Sequence, residues 1–287
     1  MEDNNINEMS NSSKVYALFY SFFLIPLMIT IFGVLFFFLF KMLTYEKQDP
    51  YHLLNNIKSG SLTKRWQSAY ELSNLFTDHS KIPVDMLFIN QMITMYEKSI
   101  HDDPKVRTYL ALAMGQTKNP IFGEVLIDKF EDNDLDNKIA AIKSLGEIKY
   151  KSAVPLINNI VSDEKNQRLR LAAVIALGEI KDDSSVDVLV DVLDDEEPNL
   201  RWDAAISLVK LGSNKGYKVI EKLITREYYT NFPNVDELEI NKTMLTVLAL
   251  ISQFPDKEFE NELVYLSENE KNIKIKEFSM RILSEHY

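Results

Sequence analysis

Between Leu135 and Leu211 one short pattern is written three times. Lys138-Ile139-Ala140-Ala141-Ile142-Lys143-Ser144-Leu145-Gly146-Glu147-Ile148 is the first copy, and Arg170-Leu171-Ala172-Ala173-Val174-Ile175-Ala176-Leu177-Gly178-Glu179-Ile180 the second. Arg201-Trp202-Asp203-Ala204-Ala205-Ile206-Ser207-Leu208 opens the third. The basic residue returns at 138, 170 and 201, a period of about 31–32 residues. Self-similarity at this period marks a solenoid, in which each unit cannot bury its apolar face alone and stacks on its neighbours.

Each unit reads as two helices. In the second copy Leu171, Val174, Ile175 and Leu177 recur at helical spacing, with Ala172, Ala173 and Ala176 between them. Small residues allow close helix approach, and alanine favours the helix itself. Gly178 stands near the expected helix end, where a chain turning back needs it. Asp182-Asp183-Ser184-Ser185 offers capping oxygens for a second helix, Val186 to Leu193. Ser152 plays that part before Ala153 to Val161, and Pro155 falls in the first turn, where its missing N–H breaks no bond.

These residues resemble HEAT repeats of the short bacterial kind, also called phycobilisome-lyase-like, and the resemblance is strongest over 103–224. It implies an all-α fold, a right-handed α-solenoid of HEAT-like helix pairs. It implies a binding scaffold more than chemistry. An enzyme or chromophore-handling protein of the phycobilin-lyase type is the alternative that the repeat type allows. Phe22-Phe23-Leu24-Ile25-Pro26-Leu27 together with Lys64-Arg65-Trp66-Gln67-Ser68-Ala69-Tyr70-Glu71-Leu72 resembles bacterial proteins with HEAT repeats behind one N-terminal transmembrane helix.

The N-terminal third divides by composition. Residues 1–14 are polar, with Glu2, Asp3, Glu8 and a single basic Lys14, and read as a disordered extracytoplasmic tail. Val15 to Phe40 is a run of 26 residues without a charge. As a helix it is about 39 Å long, enough for a hydrocarbon core of about 30 Å. The transmembrane helix is therefore placed at 15–41, with Pro26 expected to kink it and Tyr16, Tyr20 and Tyr45 at the interfaces. A cleaved signal peptide is disfavoured by the length of the run, its acidic leader and the lack of a small-x-small site after Lys41. Lys41, Lys47 and Lys58 outnumber Lys14, which puts the repeat domain in the cytoplasm of a single-pass inner-membrane protein.

A linker at 42–50 leads to the repeat domain, 51–287. Leu62 to Phe76 is a degenerate first repeat, with Arg65 seven residues before Leu72 as Arg170 is before Leu177. Arg226 to Asp236 reads as a loop-like insertion with Tyr228, Tyr229 and Phe232, and the last stretch as a pair and a half of helices ending in a polar cap.

Composition narrows function mainly by exclusion. A net charge of −11 argues against sequence-independent nucleic-acid binding, which needs clustered cations. With no cysteine there is no disulfide, thiolate site or thiol nucleophile. His52, His79, His101 and His286 are scattered, and the His-Glu pairs that hold iron in deoxyhypusine hydroxylase, a repeat protein related by fold, are missing. Asp194-Asp195-Glu196-Glu197 reads as a solvated run, and Asp132-Asn133-Asp134-Leu135-Asp136 lacks the glycine and distal glutamate of a calcium loop. No glycine-rich phosphate loop occurs. No catalytic, cofactor or metal residue is assigned, and no enzyme activity is expected.

What remains is a basic ladder, Arg65, Arg107, Lys138, Arg170 and Arg201, repeating with the fold's own period. It reads as structural, each cation pairing with carboxylates and helix-end carbonyls of neighbouring turns, against the alternative of an anion-binding stripe. Trp66, Trp202, Tyr228, Tyr229 and Phe232 are the candidate partner-binding residues, with inter-repeat packing as the other reading. The expected function is a membrane-anchored scaffold for a membrane-associated protein partner, an accessory or assembly factor of a membrane complex.

Overall fold

The computed structural model describes residues 19–44, 49–128, 130 and 134–287. The tail at 1–14, residues 15–18 of the apolar run, Tyr45, Lys47 and the Asp132-Asn133 part of the acidic motif lie outside the described residues. The chain divides into two units, Met1–Gln48 and Asp49–Tyr287.

The first unit holds helix α1, Ile25–Thr44, entered through a π-helical turn at Tyr20–Leu24. Pro26 has no N–H to donate, and its ring crowds the carbonyl of the preceding turn. The structure answers this with the wider π turn, in which Ile25 N–H reaches the carbonyl of Tyr20. Tyr20–Met42 is long and apolar enough to cross a membrane, a test that a signal sequence also passes.

In the second unit short polar side chains open the helices. Asp49, Ser61, Asp85, Asp134 and Asn166 each accept a backbone N–H two or three positions into the helix that follows. Pro50, Pro104 and Pro198 occupy first turns, where no donor is lost. The helices come in pairs: α2 (Pro50–Ser59) with α3 (Leu62–Leu75), α4 (Met86–Lys98) with α5 (Pro104–Gln116), and α6 (Gly123–Asp128) with α7 (Leu135–Ile148). Next are α8 (Val154–Asp163) with α9 (Gln167–Ile180), and α10 (Val186–Asp191) with α11 (Pro198–Lys210). Last come α12 (Tyr217–Leu223) with α13 (Glu237–Gln253), and α14 (Glu260–Asn269) with α15 (Ile273–His286). From α3 onward the odd-numbered helices stack in one row, with the basic ladder on α3 to α11, and the even-numbered ones form the other.

This pairing shifts the phase expected from the sequence. Of its two even-numbered neighbours, helix α9 packs on α8, which precedes it, as α3 does on α2 and α15 on α14. The array therefore ends on a whole pair. From α3 to α11 neighbouring odd helices touch along their lengths, whereas neighbouring even helices meet at few points. A double row more tightly spaced on one side curves toward that side, so the exposed side of the odd row lines the concave face.

Glycine makes the tight spacing possible. A Cβ on Gly115 would lie 2.6 Å from Ser144 Oγ, one on Gly146 3.0 Å from Ala176 Cα, and one on Gly178 2.4 Å from Ser207 Oγ. Gly178 is thus a point of close approach inside α9 and not its terminator. The terminating left-handed residue is Lys181, with φ 57°, as Lys149 is for α7. Lys118 and Gly212 hold the corresponding places after α5 and α11. Leu72, Met114, Leu145, Leu177 and Leu208, each seven residues after a ladder cation, are fully buried. Ile175 is 37% exposed and faces the concave side, whereas Leu171 is half-buried against the margin of the core.

Candidate partner-binding face

On the concave side α3, α5 and α7 present residues spaced by one and two helical turns: Trp66 and Tyr70, then Lys105, Tyr109 and Leu112, then Ala140 and Lys143. They meet across the repeats. Lys105 Nζ lies 4.9 Å from the centre of the Trp66 ring, and Tyr70 and Tyr109 make an edge-to-face contact at 5.1 Å. Beside them Tyr109, Leu112, Ile139 and Ala140 floor a cleft of about 500 Å³. Its rim carries Asp103, Asp134 and the Arg168–Asp136 ion pair at 2.8 Å. Tyr70 is 46% exposed, an aromatic surface left to solvent on a rigid helix. An apolar floor with charges of both signs at its rim suits a polypeptide segment.

Of the aromatic residues singled out in the sequence, Trp66 lies on this face. Trp202 and Tyr229 are buried, and Tyr228 and Phe232 half-buried, in one cluster beside α11. The Trp202 indole donates to Tyr228 Oη at 3.1 Å and meets the Phe232 ring at 5.3 Å. Tyr229 donates to the carbonyl of Leu223 at 2.6 Å, and burial pushes its hydroxyl well above the usual tyrosine range. The segment expected to be a loop is a 3-10 helix, Arg226–Asn231.

The ladder cations turn into the array. Arg65 Nε donates to Ile57 O at 3.1 Å, and its guanidinium pairs with Asp102 of the next repeat. Arg170 repeats the arrangement, with Val161 O at 3.0 Å and Asp195 at 2.7 Å. Arg107 is buried over the Tyr96 ring, 4.7 Å from its centre, and Lys138 sits over Phe130 at 5.7 Å. Arg201 donates to the carbonyls of Asp195 and Glu196 at 2.6 and 3.0 Å. The four histidines are exposed on separate elements, and no group of three His, Asp or Glu side chains converges among the described residues.

A family model described as HEAT repeats matches residues 123–208 and 155–230. Residues 123–230 are HEAT-like repeats. No curated protein matches the chain. Among solved structures the HEAT-like array is similar to the complex of CpcE and CpcF of phycocyanin lyase from Nostoc sp. PCC7120. That likeness has 16% identity, 84% of this chain and 96% of that chain covered, and a TM-score of 0.56. YibA of E. coli is similar at 18% identity, 83% and 82% coverage and a TM-score of 0.49. An engineered protein is similar at 16% identity, 71% and 96% coverage and a TM-score of 0.45. At these identities the likeness concerns the fold.

Sequence reasoning missed Tyr70, Lys105, Tyr109 and Leu112 as parts of one surface. Tyr70 shares the apolar spacing of Leu62 to Phe76, which does not mark it as facing outward. The available signal was position: Tyr109 stands two residues after its ladder cation, where Ala140 and Ala172 stand in the next two repeats.

Proposed function

We propose that this protein is a membrane-anchored interaction scaffold whose concave aromatic face holds an extended segment of a protein partner. The observation that carries the reading is the alignment of Trp66, Tyr70 and Tyr109 on adjacent helices next to an open cleft. Rigid aromatic rings give large contact area at low entropic cost, which is what a recognition anchor needs. The apolar run at 15–41 serves as an uncleaved anchor, with the repeats in the cytoplasm as the lysine count argues. Tethering raises the effective concentration toward membrane partners, which fits an accessory or assembly factor.

Chromophore handling of the phycobilin-lyase type would call for an enclosed cavity with convergent polar groups. The open cleft favours a polypeptide. The test is crosslinking and affinity purification from native membranes with the parent and with Trp66→Ala/Tyr109→Ala. A specific membrane protein recovered with the parent and lost with the variant is the expected result. The same recovery from both, with unchanged melting, would overturn the assignment of this face.

A further inference from the structure

Tyr109, two residues after its ladder cation, meets Tyr70, which stands five residues after the cation of the preceding helix. At the next step the same two places are Ala140 and Leu112, and both line the cleft. The step from α9 to α11 repeats that packing, with Gly178 against Ser207 as Gly115 is against Ser144. Its two places are held by Ile175 on α9 and Asp203 on α11. A carboxylate thus stands on the concave face, beside an exposed isoleucine, where the other repeats put an aromatic ring or an alanine.

Asp203 is half-buried, and burial pushes its carboxyl up. Among the described residues no hydrogen bond or ion pair reaches it. Its oxygens are not sealed in, so a ligand atom can approach them. The cation that acts on it is Lys210, two turns along α11, and Lys210 is held by Glu179 at 2.5 Å. The other cations of this side are engaged or distant. Arg168 pairs with Asp136 at 2.8 Å, and Arg201 donates to the carbonyls of Asp195 and Glu196. Lys143 stands with Glu147 on α7, two odd helices away. Helix α13 contributes one exposed charge of each sign, Glu239 and Lys242, and Lys242 lines a separate cleft with Asn272 and Lys274 of the α15 side.

We infer that Asp203 receives a lysine or arginine side chain of the bound polypeptide segment. This rests on the reading of the concave face as a polypeptide site. A cation brought to a carboxylate in apolar surroundings makes a charge-assisted hydrogen bond and relieves the cost of the uncompensated charge. An acidic side chain would meet a like charge there, so the same residue excludes acidic segments. The spacing follows from the fold. Helices α5 and α11 are three helix steps apart. At 8–10 Å per step that is about 24–30 Å, which an extended chain covers in about eight residues. The segment therefore carries its basic residue about eight positions from the apolar or aromatic one that packs on Tyr70 and Tyr109.

The test selects from a displayed library of random peptides on the immobilised full chain in detergent. Asp203→Asn, Asp203→Lys and Trp66→Ala/Tyr109→Ala are run in parallel. The parent is expected to select peptides with a lysine or arginine at a fixed distance from an aromatic or aliphatic residue. Asp203→Asn should keep the apolar preference and lose the basic one, and Asp203→Lys should select an acidic residue in its place. A peptide chosen by the parent should bind Asp203→Asn roughly tenfold more weakly by calorimetry, and norleucine at its basic position should cause the same loss without adding to it. Asp203→Asn removes an unfavourable burial at neutral pH, so unfolding does not account for the loss. Parent-selected peptides that lack a basic residue, or carry one that Asp203→Asn selects equally, overturn the role of Asp203 and leave the face standing. No selection by the parent, or the same peptides from Trp66→Ala/Tyr109→Ala, overturns the face and the inference with it.

Discussion

Ser207 fills the space that Gly178 leaves open. Its hydroxyl donates to Val174 O at 2.9 Å, across the α9–α11 contact, and a Cβ on Gly178 would meet Ser207 Cα at 2.9 Å as well as Oγ. Ser144 and Gly115 repeat the relationship, with Ser144 donating to Ala111 O at 2.7 Å. Since the clash involves backbone, no side-chain rotation relieves it. Gly178→Ala is expected to destabilise by about 2 kcal/mol, in the range for overpacked cores. Gly146→Ala meets Ala176 at 3.0 Å and is expected to cost less. Urea melts of the full chain in detergent give the order; equal costs would mean that α9 and α11 separate easily.

Asp203 stands two residues after Arg201, the place held by Ala140 and Ala172 in the preceding repeats. Burial raises its carboxyl to about 6, only partly offset by the Lys210 ammonium. Here the native state holds its proton more tightly than the unfolded chain does. Stability is therefore lost as pH rises from about 4 through 6, and the penalty persists above. Two units of pKa correspond to at most about 3 kcal/mol. Asp203→Asn should match the parent near pH 4 and melt at higher temperature near pH 7.5. A gap that does not vary with pH would place the carboxyl in water.

Leu177 is fully buried in α9, while Lys143 is exposed at the cleft. Large-to-small changes at buried leucines cost about 2–5 kcal/mol, and an uncompensated charge costs more. Leu177→Asp is expected to unfold the middle of the array, and Lys143→Ala to change stability by under about 0.5 kcal/mol. Circular dichroism during thermal melting reads both. A parent-like melt for Leu177→Asp would show that the array tolerates an open centre.

The period made the solenoid legible, because stacking forces Leu145, Leu177 and Leu208 into equivalent sites. Pairing was not legible: both helices beside α9 are amphipathic, and what decides is the Arg170 guanidinium reaching back to Val161 O. Gly178 was misread because glycine serves both helix ends and close approaches. The terminator is a lysine, which pays a left-handed backbone cost that composition does not reveal. Ile175 shares its helical spacing with Val174 and Leu177, and aliphatic residues carry no mark of which side of a broad apolar stripe faces solvent. Trp66 was singled out by its type, but its neighbours Tyr70 and Tyr109 come from different repeats and meet only in three dimensions.

Arg226 holds Glu270 across the last repeats, with Nε at 3.0 and 2.9 Å from the two carboxylate oxygens and Nη2 at 2.8 Å from one of them. Nη2 also donates to Asn241 Oδ1 at 2.6 Å, and the Asn272 N–H reaches the carboxylate at 2.7 Å. The Glu270 side chain is 2% exposed. Burial alone would raise its carboxyl; the Arg226 and Asn272 hydrogen bonds outweigh burial and hold it below the usual glutamate range. A lowered native pKa contributes stability above the unfolded value, lost as pH falls through the native one. Arg226→Gln removes the cation and leaves the carboxylate buried, so the shift reverses and the variant should weaken as pH rises from about 4 to 7. Removing one partner of a buried pair costs about 3–5 kcal/mol; with Arg226 29% exposed, about 2–3 kcal/mol is expected at pH 7. Urea melts at pH 4 and pH 7 should show the larger deficit at pH 7. Glu270→Gln, which leaves a partly hydrated cation instead of a buried anion, should cost less. A deficit for Arg226→Gln equal at both pH values would mean that water reaches Glu270 once the guanidinium is gone.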